Sequence, residues 1–152
     1  MGVHEHRHYA GAPLAIAAKA TMESAGEKWT VMRDAVFASL AAMPRPASAY
    51  DIAEQVSLQL GKRVVPNSVY RILDLFVARN LAIRVESANA YIANSHPGCK
   101  HDCIFLICDK CGEATHVDND ALAKQVRAVA EGAAFTPVRP IMEVRGYCAA
   151  CS

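Results

Sequence analysis

The residues able to do chemistry are gathered in one place. Between Ser95 and Asp118 the stretch SHPGCKHDCIFLICDKCGEATHVD holds four of the six cysteines and three of the six histidines. Cys108-x-x-Cys111 and Cys148-x-x-Cys151 are identical pairs separated by 36 residues. Each pair fits a short turn that presents two thiolates, and four thiolates in a tetrahedron suit a closed structural zinc site with Zn–S of ~2.3 Å. An intervening helix and strand would bring the two pairs back together. The competing reading, a frayed tail with free thiols, is disfavoured because surplus exposed thiols are reactive. A zinc held this way would fasten the C-terminus and supply folding free energy on the order of 10 kcal/mol.

A second set of donors, His96, Cys99, His101, Cys103 and His116, lies around the first C-x-x-C pair. Histidine and cysteine suit zinc, while imidazole also suits iron, nickel or copper. Cys99 and Cys103, four residues apart with His101 between them, could form a loop site completed by His96 or His116. In a strand starting at Cys103, His101 and Cys103 would point to the same side. Without metal, Cys103 would be a small buried hydrophobe and His116 a satisfied strand residue. Three further imidazoles alternate in HEHRH, from His4 to His8. They read as a functionally neutral disordered tail, with transient metal binding as the alternative.

The elements that must position these groups can be traced from periodicity. Trp29, Met32, Val36, Leu40 and Met43 recur at three- and four-residue steps, a helical stripe that the PRP at Pro44 to Pro46 ends. Ser48 followed by Asp51 is a capping-box variant; Ile52, Val56 and Leu60 form the next stripe, and Gly61 supplies its stop. PNSVYRILDLFVARN then buries Val69, Ile72, Leu73 and Phe76, with Asn80 suited to the left-handed terminating position. At 100° per residue, Asn67, Tyr70, Arg71 and Asp74 share the opposite face. LAIRV and AYIA, joined by ESAN, read as a hairpin. Three helices followed by a hairpin is the order of a winged helix-turn-helix.

HPG at His96 to Gly98 reads as a hinge. Beyond it, CIFLIC and EATHV read as strands flanking the Cys108 to Cys111 turn. DNDALAKQVRAVAEG reads as a helix capped near Asp118 and stopped by Gly132, and IMEVRGYC as a last strand. The expected class is α+β. A winged helix over 1–94, with 1–12 a disordered tail, leads through a hinge over 95–99 into a small α/β dimerisation and metal-binding domain over 100–152. So small a sheet has an exposed edge and a modest core, which favours pairing with a second copy.

Composition narrows the function without naming it. The formal net charge is +1, with ten Lys/Arg against eight Asp/Glu before Ser95 and six against seven from there on. DNA binding therefore rests on pattern rather than bulk charge. The polar face of the third helix offers that pattern. Tyr70 and Arg71, preceded by Asn67 and Ser68 at the first turn and by Lys62 and Arg63 in the approach, can bond phosphates and reach guanine edges. An ordinary solvated face, with Arg71 paired to Asp74, is the alternative. The N-terminal stretch lacks an uninterrupted apolar core because Lys19 breaks it, and no later run approaches ~18 apolar residues, so a cytoplasmic protein with no membrane partner is expected. No glutamate stands near these histidines in a metalloprotease or deaminase pattern, and a closed four-cysteine site has no open position for water. Neither an enzyme nor an organic substrate is expected. A metal-buffering role would explain the His/Cys density but not the polar face of the third helix.

GEKWTVMRDAVFASL, PASAYDIAEQV, VPNSVYRILDLF, ESANAYIA and the paired C-x-x-C occur in an order that resembles the ferric uptake regulator family, over roughly Met22 to Ser152. The AYD and ES-x-N elements look most like its zinc uptake regulator branch. The resemblance implies a homodimeric, metal-responsive repressor that binds palindromic operators of metal-uptake genes. It implies that Tyr70 and Arg71 contact DNA, that Lys28 and Arg33 approach phosphates, and that Cys108, Cys111, Cys148 and Cys151 hold structural zinc. His101 matches the hinge histidine of the family, and His116 lies where a carboxylate ligand is common. The branch usually carries a histidine in the first wing strand and a cysteine just after the second; here those positions look like Ile83 and Asn94. The sensing ligands are then expected among His96, Cys99, His101, Cys103 and His116, with a second ion, zinc by ligand type, fixing the two winged helices at the half-site spacing. The alternative is a thiol- or peroxide-sensing regulator of the same family, using Cys99 and Cys103 and keeping only the structural zinc.

Overall fold

The computed structural model describes residues 10–95, 97, 103–137 and 140–152, including the backbone but not the side chain of Cys103. The chain divides into two compact units, 1–100 and 101–152. Among the described residues of the first unit the order is α1 (Gly11–Ser24), α2 (Val31–Ala42), α3 (Ala49–Leu60), α4 (Pro66–Ala78), β1 (Ala82–Val85) and β2 (Ala90–Ala93). The second unit carries β3 (Cys103–Cys108), β4 (Ala114–Val117), α5 (Asp120–Gly132) and β5 (Ile141–Gly146).

The helices end where local chemistry dictates. Ser48 and Asp51 close a reciprocal capping box at the start of α3, and Gly61 takes a left-handed φ of 64° at its end. Pro66 occupies the first turn of α4, where a missing N–H costs nothing. Past the end of α4, Asn80 adopts φ 60°. Its N–H donates to the Val77 carbonyl and that of Leu81 to the Phe76 carbonyl, a complete Schellman closure whose apolar pair, Leu81 and Phe76, is buried.

α1 was not expected from the sequence. It begins at Gly11, inside the segment expected to be a tail, and buries Leu14, Ala18 and Met22 at four-residue steps. Ala18 and the partly buried Ala15 are small, so its stripe is narrow and easily missed. α5 also ends differently: Gly132 stays helical, and Ala134 takes the left-handed position with φ 57°.

The core of the first unit holds a cluster of rings from the approach to α2, from α2 and from α4. Trp29 stacks on Phe76 with centroids 5.9 Å apart, and Phe37 meets Phe76 edge-on at 5.7 Å. The wing pairs β1 and β2 antiparallel, with Arg84 opposite Tyr91 and Val85 opposite Ala90. Its loop runs from Glu86 to Asn89, where Asn89 takes φ 46°. Ala47, ahead of α3, exchanges backbone hydrogen bonds of 2.9 and 2.8 Å with Tyr91, which ties the wing to the helices. In the second unit the strand order is β4-β3-β5, with β3 antiparallel to β4 and parallel to β5.

The left-handed turn at Asn80 generates a prediction. Asn80→Val should lower stability by about 1–2 kcal/mol, because a β-branched side chain crowds the left-handed region, whereas Asn80→Gly should stay within about 1 kcal/mol of the parent. Urea unfolding followed by Trp29 fluorescence measures both.

Candidate metal centre and nucleic-acid interface

In the second unit the two C-x-x-C pairs converge. Cys108 is the last residue of β3, Cys111 lies in the turn to β4, and Cys148 and Cys151 follow β5. The parallel register places Cys108 beside Gly146, so adjacent strands deliver both knuckles to the same end of the sheet. The Asp109 N–H donates to the Gly146 carbonyl (2.8 Å), and that of Cys108 to Glu113 (2.9 Å). Gly112, directly after the first pair, takes a φ of 76° and donates to the Cys108 carbonyl at 2.9 Å. Arg145 bonds the Asp109 carboxylate from β5 at 2.7 Å through Nε.

The ligand atoms of Cys108, Cys111, Cys148 and Cys151 lie within 4.8 Å of one another. A tetrahedron with metal–sulfur bonds of ~2.3 Å has edges of about 3.8 Å. The Cys111 and Cys148 sulfurs are 3.8 Å apart, so the set fits a four-thiolate ion with little movement. Backbone N–H groups of Cys111, Cys148 and Lys110 favour the ionised form of Cys108 and hold its thiol down to about 6. Hydrogen bonds with the other thiols, Cys148 first, push Cys151 up to about 12. A readily ionised Cys108 beside Cys111 and Cys151, whose thiols are shifted up, makes a site that loses protons as a cation enters.

The second donor set is described only in part. His96, Cys99, His101 and the side chain of Cys103 lie outside the described residues, as do His4, His6 and His8. His116 stands on β4 opposite Phe105 and stacks on it with centroids 5.3 Å apart. Its Nε2 is 3.2 Å from an Asp118 carboxylate oxygen, a neighbour the sequence pattern did not single out. Ile83 and Asn94 are both buried. Asn94 donates through Nδ2 to the Asn80 carbonyl at 2.7 Å and through its backbone N–H to the Leu81 carbonyl at 2.8 Å. The position that seemed to lack a ligand therefore fastens the exit of the wing to the end of α4.

In the first unit α4 presents the expected polar face. Asn67, Ser68 and Arg71 are exposed, as are Lys28, Lys62 and Arg63. Arg33 differs: it donates to the Lys28 carbonyl and lies 3.6 Å from Glu27, which also pairs with Arg79 at 3.2 Å. Its charge is thus partly engaged within the unit. Tyr70 lies between two other tyrosines, edge-on to Tyr50 at 6.4 Å and to Tyr91 at 6.5 Å. Tyr91 is buried and points its hydroxyl at Asp74, 3.4 Å away; burial and then that carboxylate raise its phenol above the usual range. Tyr50 is 66% exposed and extends the polar face onto α3. No local pattern assigned it this role, because its neighbour Tyr70 is twenty residues away in sequence.

A family model described as the ferric uptake regulator family matches residues 24–145. The crystal structure of holo XcZur is 30% identical, with a TM-score of 0.76, and the match covers 90% of this chain and 94% of that one. A zinc uptake regulator complexed with zinc and DNA gives a TM-score of 0.83 at 24% identity, covering 90% of this chain and 91% of that one. The ferric uptake regulator of Helicobacter pylori gives 0.60 at 18% identity, covering 91% of each chain. The last two, at such identities, speak for the fold alone. No curated protein matches the sequence.

Two outcomes are expected of the thiolate site. Cys111→Ala should remove the bound metal and unfold the second unit, measured by elemental analysis and circular dichroism; unchanged metal content and melting would sink the assignment. Protons compete with the ion for the same sulfurs, so affinity falls as pH falls. Held with a fixed concentration of a chromogenic chelator, the protein should surrender its metal progressively between about pH 7 and about pH 5.

Proposed function

The chain belongs to the ferric uptake regulator family, whose members are metal-responsive transcription regulators and not enzymes, and on that premise we propose that it is a zinc-responsive repressor acting as a homodimer on palindromic DNA. The observation that carries this reading is the outward face of α4, with Tyr70 and Arg71 exposed to different degrees on a helix closed by Pro66 and Asn80. Such a helix enters a major groove as a fixed body, where Arg71 can address guanine edges while Asn67, Ser68, Lys62 and Arg63 address phosphates. Lys28 extends the phosphate contacts; Arg33 would join them only by releasing Glu27.

Zinc is supported by donor chemistry and by likeness. Four thiolates at tetrahedral spacing favour zinc over harder cations, and holo XcZur, at 30% identity over 90% of the chain, is a zinc-branch relative by the name it carries. The structural ion would be held by Cys108, Cys111, Cys148 and Cys151. A second, regulatory ion would draw on His96, Cys99, His101, Cys103 and His116. A homodimer is supported by apolar surface that the second unit leaves open: Val129 on α5 is 75% exposed and Phe135 66%, with Ile141 and Val144 on the edge strand β5 also uncovered. An open edge strand beside such surface is the kind that pairs with another copy. The proposed setting is the cytoplasm; no described helix is long and apolar enough to cross a membrane.

The test is binding of the purified protein to a duplex enriched by in vitro selection, titrated with zinc, iron, manganese and chelator, and then with peroxide. Zinc-dependent binding is expected, with Arg71→Ala weakening it by about 10- to 100-fold at constant salt. Binding indifferent to metal and lost on oxidation would instead identify a thiol- or peroxide-sensing regulator that uses Cys99 and Cys103.

A further inference from the structure

The turn that leads into α4 is held by a hydroxyl from the helix before it. Ser57, in α3, donates through Oγ to the Ala53 carbonyl at 2.6 Å and accepts the backbone N–H of Val64 at 2.9 Å. The Val64 side chain is buried in the core, so this N–H is removed from bulk water and needs a partner. An unmet buried donor is costly. Val65, the N-cap of α4, makes no side-chain hydrogen bond to the helix. The direction in which the chain enters α4 is therefore set by the left-handed Gly61, by Pro66 and by the Ser57 bridge.

We propose that Ser57 is a positioning residue for operator recognition, its hydroxyl fixing the turn that carries Lys62 and Arg63 and aiming the first turn of α4 with Asn67, Ser68, Tyr70 and Arg71. The assignment rests on the DNA-binding reading above. Ser57 itself is half-buried and acts through Val64 rather than by touching DNA. Discrimination between base sequences needs side chains held to a fraction of an ångström, whereas phosphate attraction tolerates a looser turn. Loss of the hydroxyl should therefore weaken specific binding more than non-specific binding. A residue that merely contributes stability would weaken both together or neither.

The experiment compares wild type, Ser57→Ala and Ser57→Thr in the full-length, metal-loaded protein. The probes are the duplex selected with wild type and a random duplex of equal length, at the same salt. Ser57→Ala should bind the selected duplex about 10-fold or more weakly while changing on random DNA by less than about threefold, and Ser57→Thr, which keeps the hydroxyl, should restore the ratio. Equal losses on both duplexes, or no loss on either, would overturn the assignment, as would a Ser57→Thr protein that behaves like Ser57→Ala. Should Ser57→Ala fail to fold, hydrogen exchange of the Val64 amide in wild type decides: protection supports the bridge, and exchange at the rate of an open amide rejects it. If selection with wild type enriches no duplex, the regulator reading itself fails. If wild type discriminates and Ser57→Ala discriminates equally, only the role of Ser57 fails.

Discussion

Four cysteine sulfurs within 4.8 Å of one another are the constraint on which the second unit depends. Its described buried apolar residues are few: Ile104, Phe105, Ile107, Cys108, Ala123 and Pro140. Against that core stands the entropy of ordering some fifty residues, at about 1–2 kcal/mol each for the backbone alone. Apolar burial on this scale does not offset such a cost, and small domains of this kind are closed by a metal, a disulfide or a second copy. Here the register of β3 and β5 brings Cys108 and Gly146 side by side, so the sheet and the thiolate cluster position each other. The uncovered residues on α5 and β5 then point to a partner as the other half of the same solution.

The first unit solves its stability differently. It has a continuous core from Leu14 to Tyr91 and helix ends closed by Ser48, Asp51, Gly61 and Asn80. Around α4 the restraints are numerous: Phe76 lies against Trp29 and Phe37, Asn94 grips the carbonyl of Asn80, and Ser57 grips the turn at the other end. If α4 reads DNA as proposed, a helix already formed would lose little conformational freedom on binding.

Much of this was legible in the sequence because it is local. The capping box, the left-handed Gly61 and Asn80, the wing turn and each C-x-x-C taken singly follow from residues within a few positions of each other, and the repetition of the C-x-x-C motif 36 residues on signals its partner. The elements that escaped notice depend on distant partners or on small side chains. α1 packs through alanine as well as leucine and methionine, so its apolar stripe barely stands out. Arg33 meets Glu27 and the Lys28 carbonyl, and Glu27 in turn meets Arg79 across 52 positions, a junction that apolar periodicity does not reveal. Asn94 looked like an absent ligand, and only the 14-residue span to Asn80 reveals it as a structural amide. Ser57 and Tyr50 gain their meaning in the same way, from neighbours on α4 and the turn before it.

The burial of Ile83 and Asn94 also limits how metal could control this chain. Isoleucine has no donor atom, and the amide nitrogen of Asn94 is committed to the carbonyl that ends α4. Ile83 therefore offers an ion no ligand, and Asn94 could offer only its Oδ1, a harder donor than the cysteine usual at that position. A ligand shifts a conformational equilibrium only by its differential affinity for the two states. On the proposed reading, an ion would gain that difference from donors other than these two, with His96, Cys99, His101, Cys103 and His116 as the candidates.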